Sequence, residues 1–263
     1  MRASVAKLCC ATLAALGLGW PATAAADGAA RPGPADQLLI PPLHREMLRL
    51  HGTVRPFVHM TGPGGGLVAD LALEYYFDAP WKLGVELSPL VVAAAAESTG
   101  VIGQPRVRAA LAADYLEVGF GLGARAARFG PSGWSMAPAL RLGSLDGLNL
   151  RAELGYALIR NYYTSAVELA WSHVLAALDV PVTWRMAFQL DVGYGLDLWI
   201  YGTLGIRQIL VGDGGPGTLA VRTGFGGVWA VDRFPCQYQD IEPCRGAPWV
   251  VGPTISLGVD QRF

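Results

Sequence analysis

Trp184-Arg185-Met186-Ala187-Phe188-Gln189-Leu190-Asp191-Val192-Gly193-Tyr194-Gly195-Leu196 places a large apolar residue at every second position. Trp184, Met186, Phe188, Leu190, Val192, Tyr194 and Leu196 fall on one face, and Arg185, Gln189, Asp191, Gly193 and Gly195 on the other. Successive side chains of a β-strand point to opposite faces, so period two marks a strand with one greasy side. The same pattern recurs upstream. Leu148, Leu150, Ala152, Leu154, Tyr156 and Leu158 interleave with Asn149, Arg151, Glu153, Gly155 and Ala157. Leu67, Ala69, Leu71, Leu73, Tyr75 and Phe77 share a face, with Asp70, Ala72, Glu74 and Tyr76 largely on the other. These stretches run for eleven to thirteen residues, about twice the usual length in soluble domains.

Composition says where such strands belong. The chain is 52% hydrophobic and only 16% charged, with a mean hydropathy of +0.34. Beyond residue 26 there is still no apolar run of the ~18 residues that a membrane helix needs; the best stretch is Leu90 to Ala96. Strands crossing a bilayer at a tilt need about 9–11 residues. The second face carries glycine, alanine and mixed charges, which suits a narrow barrel interior better than a water-washed sheet. The expectation is an all-β fold, a transmembrane antiparallel up-and-down β-barrel of twelve strands, with ten as the alternative.

The β-segments are read near 46–60, 66–77, 81–94, 105–113, 116–127, 135–143, 148–160, 165–178, 183–196, 200–210, 217–230 and 249–263. Asp78-Ala79-Pro80, Ser144-Leu145-Asp146-Gly147 and Asp179-Val180-Pro181 read as tight periplasmic turns. Ala95 to Gln104, Arg128 to Trp134 and Val231 to Pro248 read as longer outward loops. Around Asp114-Tyr115 the apolar phase flips, as at a turn or a bulge. A single strand from Trp184 to Leu210 would be roughly 90 Å long at about 3.3 Å per residue, so a turn is expected within it. Ala166 to Leu178 also fits a helix face, but is read as a strand because a turn and a strong strand follow. Tyr75, Tyr76, Phe77 and Trp81, with Trp184 and Tyr162-Tyr163, sit at strand ends, as in interfacial aromatic girdles.

The start of the chain has the layout of a secretory signal. Arg2 and Lys7 form a basic start, Leu8 to Trp20 an apolar run, and Pro21 to Ala26 a small-residue tail. The expected organisation is a signal peptide over 1–26, a flexible periplasmic lead over 27–45 and a barrel over 46–263. Within the lead, His44 to Leu50 could instead form a helical turn in the barrel mouth. Cys9 and Cys10 lack the surroundings of a lipoprotein signal. Removal of residues 1–26 lowers the formal charge from −1 by two, to −3, which is not a nucleic-acid binder's balance. Cys236 and Cys244 are then an even, closely spaced pair outside the cytoplasm, read as a disulfide with a structural role.

The chain closes on Ser256-Leu257-Gly258-Val259-Asp260-Gln261-Arg262-Phe263. Ser256, Gly258 and Phe263 resemble the C-terminal assembly signal of outer-membrane β-barrel proteins; Gln261 departs from it, standing where an aromatic or apolar residue is usual. The resemblance is to that broad superfamily and to no functional family within it. It implies a place in a Gram-negative outer membrane, lipid around the barrel, and recognition of the last strand by the barrel-assembly machinery, with Phe263 important for insertion.

Chemistry is sparse. No Gly-x-Ser-x-Gly, His-Glu-x-x-His or P-loop pattern occurs, and Gly62–Gly66 and Gly212–Gly217 read as turns. Of His44, His51, His59 and His173, only His173 has an adjacent serine, Ser172. Strand neighbours point to opposite faces, so the pair is not expected to act as nucleophile and base. Asp191 and Asp197 are too far apart along the chain for a carboxylate pair. His51 and His59 are expected to face inward in structural roles. Neither catalytic, cofactor nor metal residues are assigned, with a lipid-modifying acyl hydrolase as the enzymatic alternative. The candidate lumen charges are Asp70, Glu74, Glu86, Arg108, Glu117, Arg141, Arg151, Glu153, Asp191 and Arg222, with Lys82, Asp114, Glu168 and Asp260 on the same predicted face. They either pair with one another and fill the barrel, or line a narrow channel for small polar solutes.

Overall fold

Twelve segments take up the extended conformation: β1 (Met47–Val58), β2 (Gly64–Tyr76), β3 (Trp81–Ala95), β4 (Ser98–Ala112), β5 (Leu116–Ala127) and β6 (Gly133–Gly143). They continue as β7 (Asn149–Arg160), β8 (Val167–Thr183), β9 (Met186–Gly195), β10 (Trp199–Val211), β11 (Leu219–Val231) and β12 (Trp249–Arg262). In this computed structural model each strand pairs antiparallel with its sequence neighbours, and β1 closes on β12 to complete a ring. Closure is what lets strands cross lipid, because it leaves no edge whose backbone groups lack partners. The structure describes residues 46–60, 63–95, 98–113, 115–127, 132–160, 167–195, 199–231 and 249–263. The expected leader and lead, residues 1–45, together with Tyr162-Tyr163, Asp114, Asp197 and the Cys236/Cys244 pair, lie outside them.

The two faces of the wall are of opposite character. Leu71, Val85, Val107, Leu122, Phe188, Leu204, Phe225 and Ile255 are each at least half exposed on the outside. Similar residues follow at alternate positions on every strand, and no water-soluble domain leaves so continuous an apolar girdle bare. Glu74, Lys82, Arg106, Asp191 and Asp260 point inward and are buried.

Several expected boundaries move, each for a local reason. Asp179-Val180-Pro181 is not a turn: β8 continues to Thr183, and the turn falls at Trp184-Arg185. Pairing of β8 with β7 ends at Asp179, so the missing N–H of Pro181 faces no partner there, and β8 runs on beside β9 alone. Likewise Ala95 to Gln104 is not a long loop. Beyond an irregularity between Leu87 and Leu90, where Pro105 sits opposite the disrupted ladder, β3 and β4 resume pairing as far as Ala95↔Ser98. Asp114-Tyr115 lies in the connection between β4 and β5, a separate join divides β9 from β10, and Val167–Thr183 is strand rather than helix. Met47 to Leu50 belongs to β1 rather than to a helical turn. Tyr76 departs from the girdle by turning inward, whereas Tyr75 and Phe77 stand edge to face and Trp81 is exposed.

Among the described residues the seam registers the fewest pairs of any joint, seven against nine or more elsewhere. β11 runs beside β12 without a break from Leu219 to Val231. β1 pairs with β12 over Arg49–Val54 and again at Phe57, with Pro56 and Pro253 near the gap. Thr254 Oγ1 donates to Pro56 O at 2.7 Å, and Leu48 and Phe263 exchange backbone bonds at the end of the seam.

Candidate functional site

The interior is stacked in layers, beginning at the end where β1 starts and β12 finishes. There the β6–β7 turn, residues 144–148, folds inward. Ser144 Oγ accepts from Gly147 N at 2.8 Å and shapes it, and Leu145 packs with Met47 and Tyr76 on β1 and β2. Asp146 reaches the far wall, since β6 and β12 occupy opposite positions in the ring. It accepts from Arg207 of β10 at 2.6 Å and from Arg262 of β12 at 2.6 and 2.8 Å. Arg207 also donates to Leu145 O and Asp146 O, and Arg262 to Gly214 O in the β10–β11 turn. That turn is held open for the approach by left-handed glycines at 212, 214 and 217, with φ of +84°, +102° and +85°.

From this latch a chain of alternating charges crosses the barrel. Arg262 lies 3.3 Å from Asp260, Asp260 2.7 Å from Arg49, and Arg49 3.4 Å from Glu74. Glu74 then meets Lys82 at 2.6 Å, Lys82 meets Glu117 at 2.6 Å, and Glu117 meets Arg141 at 3.2 Å. His51 adds a contact to Glu74 at 3.2 Å.

A second cluster lies further along the lumen. Glu153 accepts from Arg106 at 2.5 Å and pairs with Arg108, and both arginines also face Glu86. Arg106 donates to Ser88 O, Ser88 Oγ donates to Asp70, and Asp70 pairs with Arg55 at 2.6 Å. Arg55 stands 3.6 Å from Asp191 and 4.2 Å over the Tyr201 ring. Above this, toward the outer mouth, Phe57, Val68, Val91, Trp199, Tyr201 and Val228 form a buried apolar cluster inside the lumen.

Glycines on the lumenal face make room for rings laid flat on the wall. A Cβ at Gly195 would lie 2.0 Å from the Trp199 ring, one at Gly193 2.3 Å from Tyr201, and one at Gly155 2.0 Å from His173. Gly155→Ala is therefore expected to lower stability by about 1–3 kcal/mol through overpacking, measured as a drop in the denaturant midpoint of the folded barrel. An unchanged midpoint would show that His173 can move aside freely.

The ten candidate lumen charges all line one cavity of about 160 Å³, together with Arg49, Arg55 and Tyr201. Lys82 lines it as well, whereas Asp260 is fully buried beside it and Glu168 is exposed at the outer end of β8. His51 faces the cavity, and His59 follows the end of β1. Sequence reasoning missed Arg49 and Arg55, although both share the alternate positions of His51. It also missed Arg106, Arg207 and Arg262, which alternation on their own strands marks as inward. Asp146 carried no such signal, because turns have no period.

One expectation is corrected. A register shift opposite Gly155 makes Ser172 an extra residue in β8, so it and His173 both face inward. Ser172 Oγ lies 2.9 Å from His173 Nδ1, and His173 Nε2 lies 2.8 Å from Glu153 Oε1. The trio has the connectivity of a nucleophile, base and carboxylate. Ser172 and His173 are 3% and 0% exposed, however, and neither lines the cavity described above.

A closed antiparallel ring of twelve strands, apolar outside and charged inside, is an outer-membrane β-barrel. No family model and no curated protein matches the chain. Among solved structures, a KdgM porin in complex with disordered oligogalacturonate is similar, at 12% identity and a TM-score of 0.42, covering 82% of this chain and 99% of that one.

Proposed function

We propose that this protein is a barrel closed to free diffusion at rest, exported by the leader at 1–26, whose role is borne by its wall and outward loops in structural or surface-interaction work. The observation that supports this reading is the β6–β7 turn, which Asp146 pins to Arg207 and Arg262 across the lumen. The alternating charge chain behind it and the apolar cluster at the opposite mouth add two further barriers. Single-channel recording of the purified protein in a planar bilayer tests the proposal. Silence with the protein folded, as judged by heat-modifiable gel migration, is the expected result; steady current steps from the wild type would overturn it.

A second reading is a narrow channel for small polar solutes that conducts when the turn is released. The polar cavity favours it, because a lumen with only a filling role has no need of that space. Under either reading the last strand serves assembly. Phe263 is half exposed toward lipid, while its backbone completes the seam with Leu48. Phe263→Ala is expected to reduce the folded protein in outer-membrane fractions severalfold without changing its synthesis; equal recovery would remove Phe263 from the assembly signal. Cys236 and Cys244 are proposed as a disulfide in the outward loop, checked by a thiol count before and after reduction.

A further inference from the structure

We propose that the lumenal cavity is a binding site for a small oxyanion, a carboxylate or phosphate group held between Arg222 of β11 and Arg151 of β7. This goes beyond the closed-barrel reading and stands whether or not the barrel conducts.

The argument begins with pairing. Every carboxylate lining the cavity lies within 4 Å of a cation: Asp70 and Asp191 by Arg55, Glu74 and Glu117 by Lys82, and Glu86 and Glu153 by Arg108. Arg222 is the exception among the cations. It is 6% exposed, lines the cavity, and makes no hydrogen bond or ion pair with any described residue. Arg151 also lines the cavity and is held only by a long approach to Asp179, 3.8 Å, without a hydrogen bond. A buried guanidinium with no direct ion pair or hydrogen bond is unfavourable.

The strand register explains why these two are untied. Arg222 stands directly opposite Arg207, and Arg151 directly opposite Arg141. Like charges at facing positions repel, and in each pair one member is committed elsewhere: Arg207 to Asp146 at 2.6 Å and Arg141 to Glu117 at 3.2 Å. The other member is left with its fork of donors for the cavity. Gly258, across from Arg222 on β12, keeps the wall thin there; a Cβ would lie 3.1 Å from the Arg222 Cβ. Thr53 and Tyr201 bring hydroxyls to the same space. Of the carboxylates that could compete, Asp191 is engaged by Arg55 at 3.6 Å and Asp179 Oδ1 by Gln189 at 2.7 Å, while Asp179 Oδ2 makes no hydrogen bond and stays 3.8 Å from Arg151. Two guanidinium forks with hydroxyls beside them match the planar, multi-acceptor geometry of an oxyanion better than that of a halide.

Equilibrium dialysis of the detergent-purified protein against radiolabelled inorganic phosphate, at constant ionic strength, tests the site even if entry is slow. Saturable binding of one equivalent is expected, displaced by acetate. Arg222→Met should weaken it roughly tenfold or more, as charge-assisted hydrogen bonds are lost, and Arg151→Gln severalfold, with heat-modifiable migration unchanged. No saturable binding by the wild type, equal binding by Arg222→Met, or failure of acetate to compete would each overturn the proposal. Should Arg222→Met fail to fold, Arg222→Lys keeps the charge without the fork; its expected result is severalfold weaker binding, and wild-type affinity would refute the assignment.

Discussion

Asp146→Ala is expected to convert a silent barrel into a conducting one. The substitution frees the β6–β7 turn from Arg262 and removes the carboxylate that Arg207 shares with it, leaving Arg207 only its bonds to the carbonyls of residues 145 and 146. With the ionic latch gone, the turn is held over the mouth by the packing of Leu145 on Met47 and Tyr76 and by neutral-acceptor bonds from Arg207 to two of its carbonyls. Recording in planar bilayers should show discrete steps that the wild type lacks. Stability should fall by about 3–5 kcal/mol, since buried Arg207 loses its carboxylate and buried Arg262 one of its two. A silent Asp146→Ala with normal gel migration would mean that the apolar cluster at the outer mouth is the true barrier, and the latch has no gating role. Acid should act in the same direction. Burial pushes the Asp146 carboxyl up, but Arg262, bonded to it, and Arg207 outweigh that and hold it below the usual carboxylate range. A group with a lowered folded-state pKa stabilises fully above its unfolded value and loses that contribution as pH falls through the folded one. The latch is therefore expected to hold at neutral pH and to release only in acid below the ordinary aspartate range.

An equally large loss of stability is expected from Glu153→Ala. One carboxylate serves Arg106, Arg108 and His173, drawn from β4 and β8 across to β7. Its removal leaves the two arginines to share Glu86 alone and His173 without its acceptor, for an expected cost of about 3–5 kcal/mol. Urea unfolding in lipid vesicles measures it. Glu46→Ala, which removes an exposed hydrogen bond to Tyr75, is the control and should scarcely move the midpoint. Equal effects from the two variants would mean that the interior pairs contribute no more than surface ones. The asymmetry matters for reading such a lumen: buried ion pairs add little over an apolar filling, but once present each partner becomes costly to remove.

Strand number, orientation of the wall and most of the lumen were legible because alternation is a local signal repeated on every strand. Leu190, Asp191 and Val192 announce their faces without any knowledge of what lies across the barrel. What escaped is what interrupts the period. Ser172 is an inserted residue, so strict alternation separated it from His173 when a bulge in fact brings them together. Pro181 looked like part of a turn because its tolerance in a strand depends on the neighbouring strand being absent at that point. Asp146 sits in a turn, where sequence gives a residue type but no direction. Pair identities were never readable, since contacts such as Asp146 to Arg262 join positions far apart in the chain, and only the closed ring sets them opposite each other.

The seam between β1 and β12 gives the ring a preferred line of parting. Other joints carry bulges or skipped pairs as well, but each registers nine pairs or more against the seam's seven, and near Pro56 and Pro253 the stitching is partly handed to a threonine hydroxyl. Mechanical pulling should accordingly unzip the barrel from this line rather than fragment it at random. The strands that meet last in sequence are then the first to come apart, and a passage sideways into the lipid, if the wall ever yields one, opens there.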